Sequence, residues 1–190
     1  MESLSKQPMR RPTATLSTLL VTGILTGLHY VLPRLLPSLQ RTPTALAQHQ
    51  LWRLITPLLV QPDGWRAIVF VFASILIVGT LAESLWGSRR WLILYIVSGF
   101  SGEVAGYAWQ PHGAGASVAG AGLLGSLAIW LVYKCQTRPA HFGGLVILLG
   151  AIILTYLRDI HGIPILVGAA LGLAMLKADD SRSAAQVKNL

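Results

Sequence analysis

Ser117 and His161 are the two residues of this chain whose types and settings are best suited to chemistry. A serine hydroxyl attacks a carbonyl when a neighbouring imidazole takes its proton, and the same imidazole can return that proton to a leaving amine. Ser117 lies in Gly113-Ala114-Gly115-Ala116-Ser117-Val118-Ala119-Gly120-Ala121-Gly122, a stretch with almost no side-chain bulk, and His161 is followed by Gly162, Gly168 and Gly172. On a helix His161, Gly168 and Gly172 share nearly one face, and the four-residue step between the last two lets another backbone approach closely. Ser117, Gly120, Ala121 and Ala128 form a second small-residue face. Packing one face on the other is expected to bring hydroxyl to imidazole. The unpaired N–H groups around Gly115 and Ala116, at the start of the Ser117 helix, would then support the oxyanion at the positive end of the helix dipole. The plain alternative is that Ser117 only packs and His161 only sits at an interface, since small-residue faces are common in membranes.

The elements that must position this pair are membrane helices. Of 190 residues, 53% are hydrophobic and 12% charged, and the mean hydropathy is +0.60. A soluble domain carries about 25% charged residues. One cysteine, Cys135, excludes a disulfide framework and a Cys-rich zinc site, and seven acidic residues exclude acid-rich calcium loops. The net charge of +8 is scattered between apolar runs, which reads as membrane topology rather than nucleic-acid binding. A crossing needs about 20 apolar residues. Six runs qualify or come close: Ser17 to Leu36, Arg66 to Trp86, Trp91 to Trp109, Gly115 to Tyr133, and two short ones, Phe142 to Leu157 and Gly162 to Leu176. Ser117 and His161 then start the fourth and sixth spans on the same side, at a shared depth.

With the N-terminus inside, Lys6, Arg10, Arg11, Arg89, Arg90, Lys134, Arg138, Lys177, Arg182 and Lys188 are internal, and Arg34, Arg41, Arg53, Arg66 and Arg158 are external. Ten against five places both termini in the cytoplasm. The expected organisation is a tail over residues 1–14, a six-helix membrane domain over 15–177 and a second cytoplasmic tail over 178–190. The first run is read as retained, because the small-residue triplet Ala45-Leu46-Ala47 lies too far beyond it for signal-peptide cleavage.

Gly115-Ala116-Ser117-Val118-Ala119-Gly120-Ala121-Gly122-Leu123-Leu124-Gly125 resembles the nucleophile motif of the rhomboid intramembrane serine proteases, Gly-x-Ser-Gly before Gly-Leu-Leu-Gly. Asp159-Ile160-His161-Gly162, with Gly168 and Gly172, resembles their last catalytic helix. Trp52-Arg53 is similar to the Trp-Arg of their first external loop, and Glu83 with Gly87-Ser88 to the end of their second helix. The resemblance implies an all-α, six-helix bundle of the basic bacterial form in the plasma membrane. It implies a Ser117–His161 dyad that cleaves transmembrane segments of protein substrates within the bilayer, without metal or cofactor. Two positions depart from the pattern. Val118 replaces a glycine and is expected to narrow the floor of the site. The family's His-x-x-x-Asn, which helps to bind the oxyanion, is absent from Gly64-Trp65-Arg66-Ala67-Ile68-Val69-Phe70-Val71, leaving backbone groups, Arg66 or His112 to serve. The alternative function is therefore a rhomboid-like protein that binds membrane helices without cutting them. A channel or transporter is disfavoured by the lack of paired charges within the spans and of an inverted repeat.

Polar groups at membrane depth need partners. Glu83 is expected to act as a hydrogen-bonded brace and Glu103 as a protonated carboxyl bracing helices. Trp52-Arg53 fits an interfacial anchor as well as it fits the loop motif. Asp159 is expected to cap the sixth span, because a helix would turn it and His161 to different faces. His29 is read as a packing residue and Cys135 as a surface thiol.

Overall fold

The computed structural model describes residues 11–188. The start of the N-terminal tail, with Lys6 and Arg10, lies outside the described residues. The elements run α1 (Thr13–Val31), α2 (Leu35–Leu39), α3 (Pro43–Ala47), two short 3-10 turns, α4 (Trp65–Trp109), α5 (Ser117–Lys134), α6 (Arg138–Tyr156) and α7 (Gly162–Lys188). Among the described residues, five helices are long and apolar enough to cross a membrane. One of them, α4, contains two of the expected spans, because its 45 residues are broken at Gly87, where φ is 73° and ψ 161°. A side chain added at Gly87 would meet nothing within 4 Å, so backbone conformation rather than space asks for glycine there. The fifth and sixth spans are longer than their apolar runs suggest. Arg138 to His141 are already helical, and α7 continues through the region expected to be a tail. That extension is fastened by Arg90 to Asp179 (2.6 Å for each of two hydrogen bonds) and Lys134 to Asp180 (2.6 Å).

The central helix is α5, with α4, α6 and α7 packed around it. Glycine governs how closely they approach. A Cβ at Gly168 would strike the carbonyl of Gly122, and one at Gly125 the carbonyl of Ile165, so α5 and α7 touch backbone to backbone. Gly172 meets Ser126 and Ile129. The expected mate of the Gly168/Gly172 face, Ser117 with Ala121, is therefore corrected: α7 packs on Gly122, Gly125, Ser126 and Ile129. Ala128 belongs to the contact with α6, where its carbonyl lies against Gly144. Trp91 is fully buried, stacks on Tyr95 at 5.0 Å and donates to the Gly79 carbonyl at 3.0 Å, which joins the two arms of α4.

Glu83 lies near the end of the first arm of α4. Its carboxylate accepts hydrogen bonds from the N–H groups of Ala14 and Thr15, both at 2.8 Å, from the Thr15 hydroxyl at 2.8 Å and from Ser88 at 2.7 Å. It thereby caps the first turn of α1 from outside that helix and holds it to the Gly87-Ser88 turn.

Residues 32–64 form a segment between α1 and α4 that folds back into the bundle. Leu58 and Val60 are buried, and Tyr95 donates to the Leu58 carbonyl at 2.9 Å. Arg53 ties this segment together through the carbonyls of Pro37 (2.7 Å) and Gln40 (2.9 Å), whereas Trp52 is exposed. Arg41, counted by sequence among the external loop charges, is only 1% exposed. It pairs with the Glu103 carboxylate, donates to the Gln110 carbonyl at 2.8 and 3.0 Å, and bonds through its backbone to Gly113. Glu103, expected to brace helices as a protonated carboxyl, has a loop arginine as its partner, admitted because Gly106 has no side chain to obstruct the guanidinium.

Candidate active site

Ser117 is the first residue of α5 and His161 the last before α7. The Ser117 hydroxyl lies 3.1 Å from His161 Nε2. Their shared depth follows from the two intervening crossings, and their contact from the backbone approach of α5 and α7. The other ring nitrogen, Nδ1, lies 2.7 Å from Asp159 Oδ1, which also accepts the His161 backbone N–H at 2.8 Å. The expectation that Asp159 and His161 face apart is corrected. Asp159 to His161 form a turn ahead of α7, so helical spacing does not apply, and the carboxylate serves His161 rather than the N–H groups of the helix.

The turn has a local cause. Arg158 adopts a positive φ of 59° just beyond α6, and Asp159 N–H closes on the Leu154 carbonyl at 2.9 Å, a helix stop of the left-handed type. Gly162 lets the start of α7 press against Thr155 and the Ala151 carbonyl. Partial burial works to raise the Asp159 pKa, but hydrogen bonds from the His161 N–H and ring, with the attraction of the ring charge, hold it below the usual carboxylate value. An ionised Asp159 keeps the proton on Nδ1, which leaves Nε2 to accept from the Ser117 hydroxyl.

The pair opens on an apolar cavity of about 280 Å³ between the first arm of α4 (Phe70, Val71, Ser74, Ile75, Val78), the start of α5 (Gly120, Ala121, Leu124) and Ile165. This explains the shift in packing: the Ser117/Gly120/Ala121 face lines the cavity instead of meeting α7. Val118 does not narrow the floor as expected. It is buried and points to Gly102, where a Cβ would collide with it.

Among the described residues, the N–H groups of Ala116 and Ser117 have no hydrogen-bond partner, as befits the open end of a helix. Gly115 is different. Its N–H is taken by the Pro57 carbonyl at 2.9 Å, so its part in the site is space and not the oxyanion support expected of it. Arg66 is exposed, with its guanidinium 5.4 Å from the Trp65 ring centre, and His112 is also exposed. Sequence reasoning passed over Gln61. This buried residue brings its carboxamide to Gly115, where a Cβ would lie 3.5 Å from Gln61 Oε1 and 3.2 Å from Ser117 Oγ. The available signal was a lone glutamine directly after the apolar run Leu58-Leu59-Val60.

The family model for the Rhomboid domain matches residues 48–178. Rhomboid protease GluP of Bacillus subtilis (strain 168) is 37% identical over 83 residues, 43% of this chain and 16% of that protein. Rhomboid-like protease 3 of Toxoplasma gondii is 31% identical over 86 residues, 44% of this chain and 32% of that protein. Putative rhomboid protease YdcA of Bacillus subtilis (strain 168) is 32% identical over 93 residues, 47% of this chain and 46% of that protein. These matches span less than half the length of each relative. The family match takes in most of the chain and every residue that lines the cavity, and on that ground this multi-pass helical membrane protein belongs to the rhomboid family.

Proposed function

We propose that this protein is an intramembrane serine protease that cleaves transmembrane segments of other proteins, with Ser117 as nucleophile and His161 as general base and acid. The observation that carries the reading is the continuous hydrogen-bonded line from the Ser117 hydroxyl through the His161 ring to the Asp159 carboxylate. In the first half-reaction Ser117 Oγ bonds to the scissile carbonyl carbon while its proton passes to Nε2. The N–H groups of Ala116 and Ser117 face the oxygen that gains charge. The C–N bond then breaks, the leaving amine takes the proton from Nε2, and the acyl group stays on Ser117. Water reverses the sequence and frees the carboxylate. Asp159 keeps the imidazole in one tautomer and supports its positive charge. No metal or cofactor enters these steps.

A substrate helix must unwind to expose a peptide bond, and the apolar cavity beside Ser117 suits a membrane segment entering along α4. The basic residues favour an orientation with both termini in the cytoplasm, which puts the site near the outer surface, in a bacterial plasma membrane by analogy with the Bacillus relatives. The test is labelling of purified protein by a serine-directed fluorophosphonate, together with cleavage of a reconstituted transmembrane substrate. Wild type should label and cleave, and Ser117→Ala should do neither. The second reading, a helix-binding protein that does not cut, is favoured by the apolar Phe70 and Val71 on the cavity wall. Substrate binding without labelling or cleavage would establish it.

A further inference from the structure

Gln61 is a buried polar group near Ser117 that the steps above leave unused. Its side chain is only 1% exposed. Its Nε2 donates to Asp63 Oδ2 at 2.5 Å, and its backbone N–H donates to the Thr26 hydroxyl at 3.0 Å, so both ends of the residue are held. Its Oε1 has no hydrogen-bond partner among the described residues. That oxygen and Ser117 Oγ border the same point, the place where Gly115 lacks a Cβ. A buried carbonyl oxygen without a donor is costly, and a fixed one beside a nucleophile selects a reactant that carries a hydrogen to give.

We propose that Gln61 holds the hydrolytic water for the second half-reaction, an inference that rests on the protease reading above. A water held between Gln61 Oε1 and the acyl carbon on Ser117 has two hydrogens to place. One goes to His161 Nε2, which is free to accept once the leaving amine has departed with its proton. The other goes to Gln61 Oε1, which leaves a lone pair on the water oxygen for the acyl carbon. The C–O bond to water forms as the proton moves to Nε2. The bond from the acyl carbon to Ser117 Oγ then breaks, and the serine recovers the proton from His161. Asp63 takes no part in proton transfer. By accepting from Nε2 it turns Oε1, and not the amide nitrogen, toward the site. Acylation needs no water, so Gln61 should matter in one half-reaction only.

The experiment uses the full chain in detergent and a p-nitrophenyl ester of a medium-chain acid, with the burst of nitrophenolate reading acylation and the steady state reading deacylation. In Gln61→Met the burst rate should stay within about 2-fold of wild type. Steady-state turnover should fall roughly 10²-fold, the scale of a misplaced reactant. Acyl-enzyme should accumulate on Ser117 by intact mass, and hydroxylamine, which brings its own nucleophilic nitrogen, should release it. Gln61→Glu, protonated beside Asp63, retains both donor and acceptor and should restore most of the turnover. If Gln61→Met does not fold, Asp63→Ala at an exposed position frees the amide to rotate and should produce a smaller loss in turnover alone. Burst and turnover falling together at unchanged thermal stability, or neither changing, would overturn the proposal. A wild type that never acylates at Ser117 would overturn the protease reading and this proposal with it.

Discussion

Asp159 Oδ1 lies 2.7 Å from His161 Nδ1 and 2.8 Å from the backbone N–H of the same residue, so one oxygen sets both the ring and the turn that carries it. Asp159→Asn should leave Ser117 in place but allow the imidazole its other tautomer. Cleavage is expected to fall roughly 10²-fold, short of the ~10⁴ of fully buried aspartates, because this pair is partly exposed to water. The loss should sit in kcat, read by a reconstituted cleavage assay.

The same carboxyl makes a pH prediction. Its pKa in the folded protein is below the ordinary 3.8. The stability this contact contributes is therefore fully present above the unfolded carboxyl's pKa, and it is lost as pH falls through the depressed folded value. Wild type and Asp159→Ala should differ in melting temperature at neutral pH and converge in strong acid. A difference that grows on acidification would contradict this account.

Two glycines with opposite surroundings test the α5–α7 contact. Gly168→Ala drives a methyl into the Gly122 carbonyl and should cost about 1–3 kcal/mol, with loss of cleavage as Ser117 and His161 part. Gly150, on α6, has nothing within 4 Å of its Cβ position, so Gly150→Ala should gain about 0.5–1 kcal/mol and leave cleavage unchanged. Denaturation in mixed micelles reads both.

Breaking the Arg41–Glu103 pair from one side leaves the other buried group without its partner. Arg41→Met or Glu103→Leu alone should each cost about 3–5 kcal/mol, while the double variant should lose less than either. Additive losses would show that the two residues act separately.

The expected orientation can be measured with reporter fusions after Leu190 and within the 110–113 loop. They should report opposite sides of the membrane. A common side would overturn the assignment of both termini to the cytoplasm.

Much of this protein follows from its residues alone. Runs of apolar residues long enough to cross a bilayer can do little else, so the spans are legible, and the count of crossings between Ser117 and His161 puts the two at one depth without any coordinates. Gly87-Ser88 followed by two arginines marks the break in α4, and Glu83, an acid in an apolar run, has to find donors. What hydropathy does not encode is rotation. In a membrane helix the lipid-facing and protein-facing sides are both apolar, so periodicity does not say which stripe packs. The tertiary contacts alone decided that α7 meets Gly122 and Gly125, leaving the Ser117/Ala121 stripe to the cavity. They also decided the fate of polar groups in irregular backbone. Asp159 faces His161 because a turn, not a helix, joins them. Arg41 is buried because Gly106 makes room for it, and Gln61 reaches the site because the segment between α1 and α4 folds back between α1 and Gly115. In each case the deciding quantity is a distance between residues far apart in the chain or a backbone angle in a loop, and neither is carried by residue type or spacing.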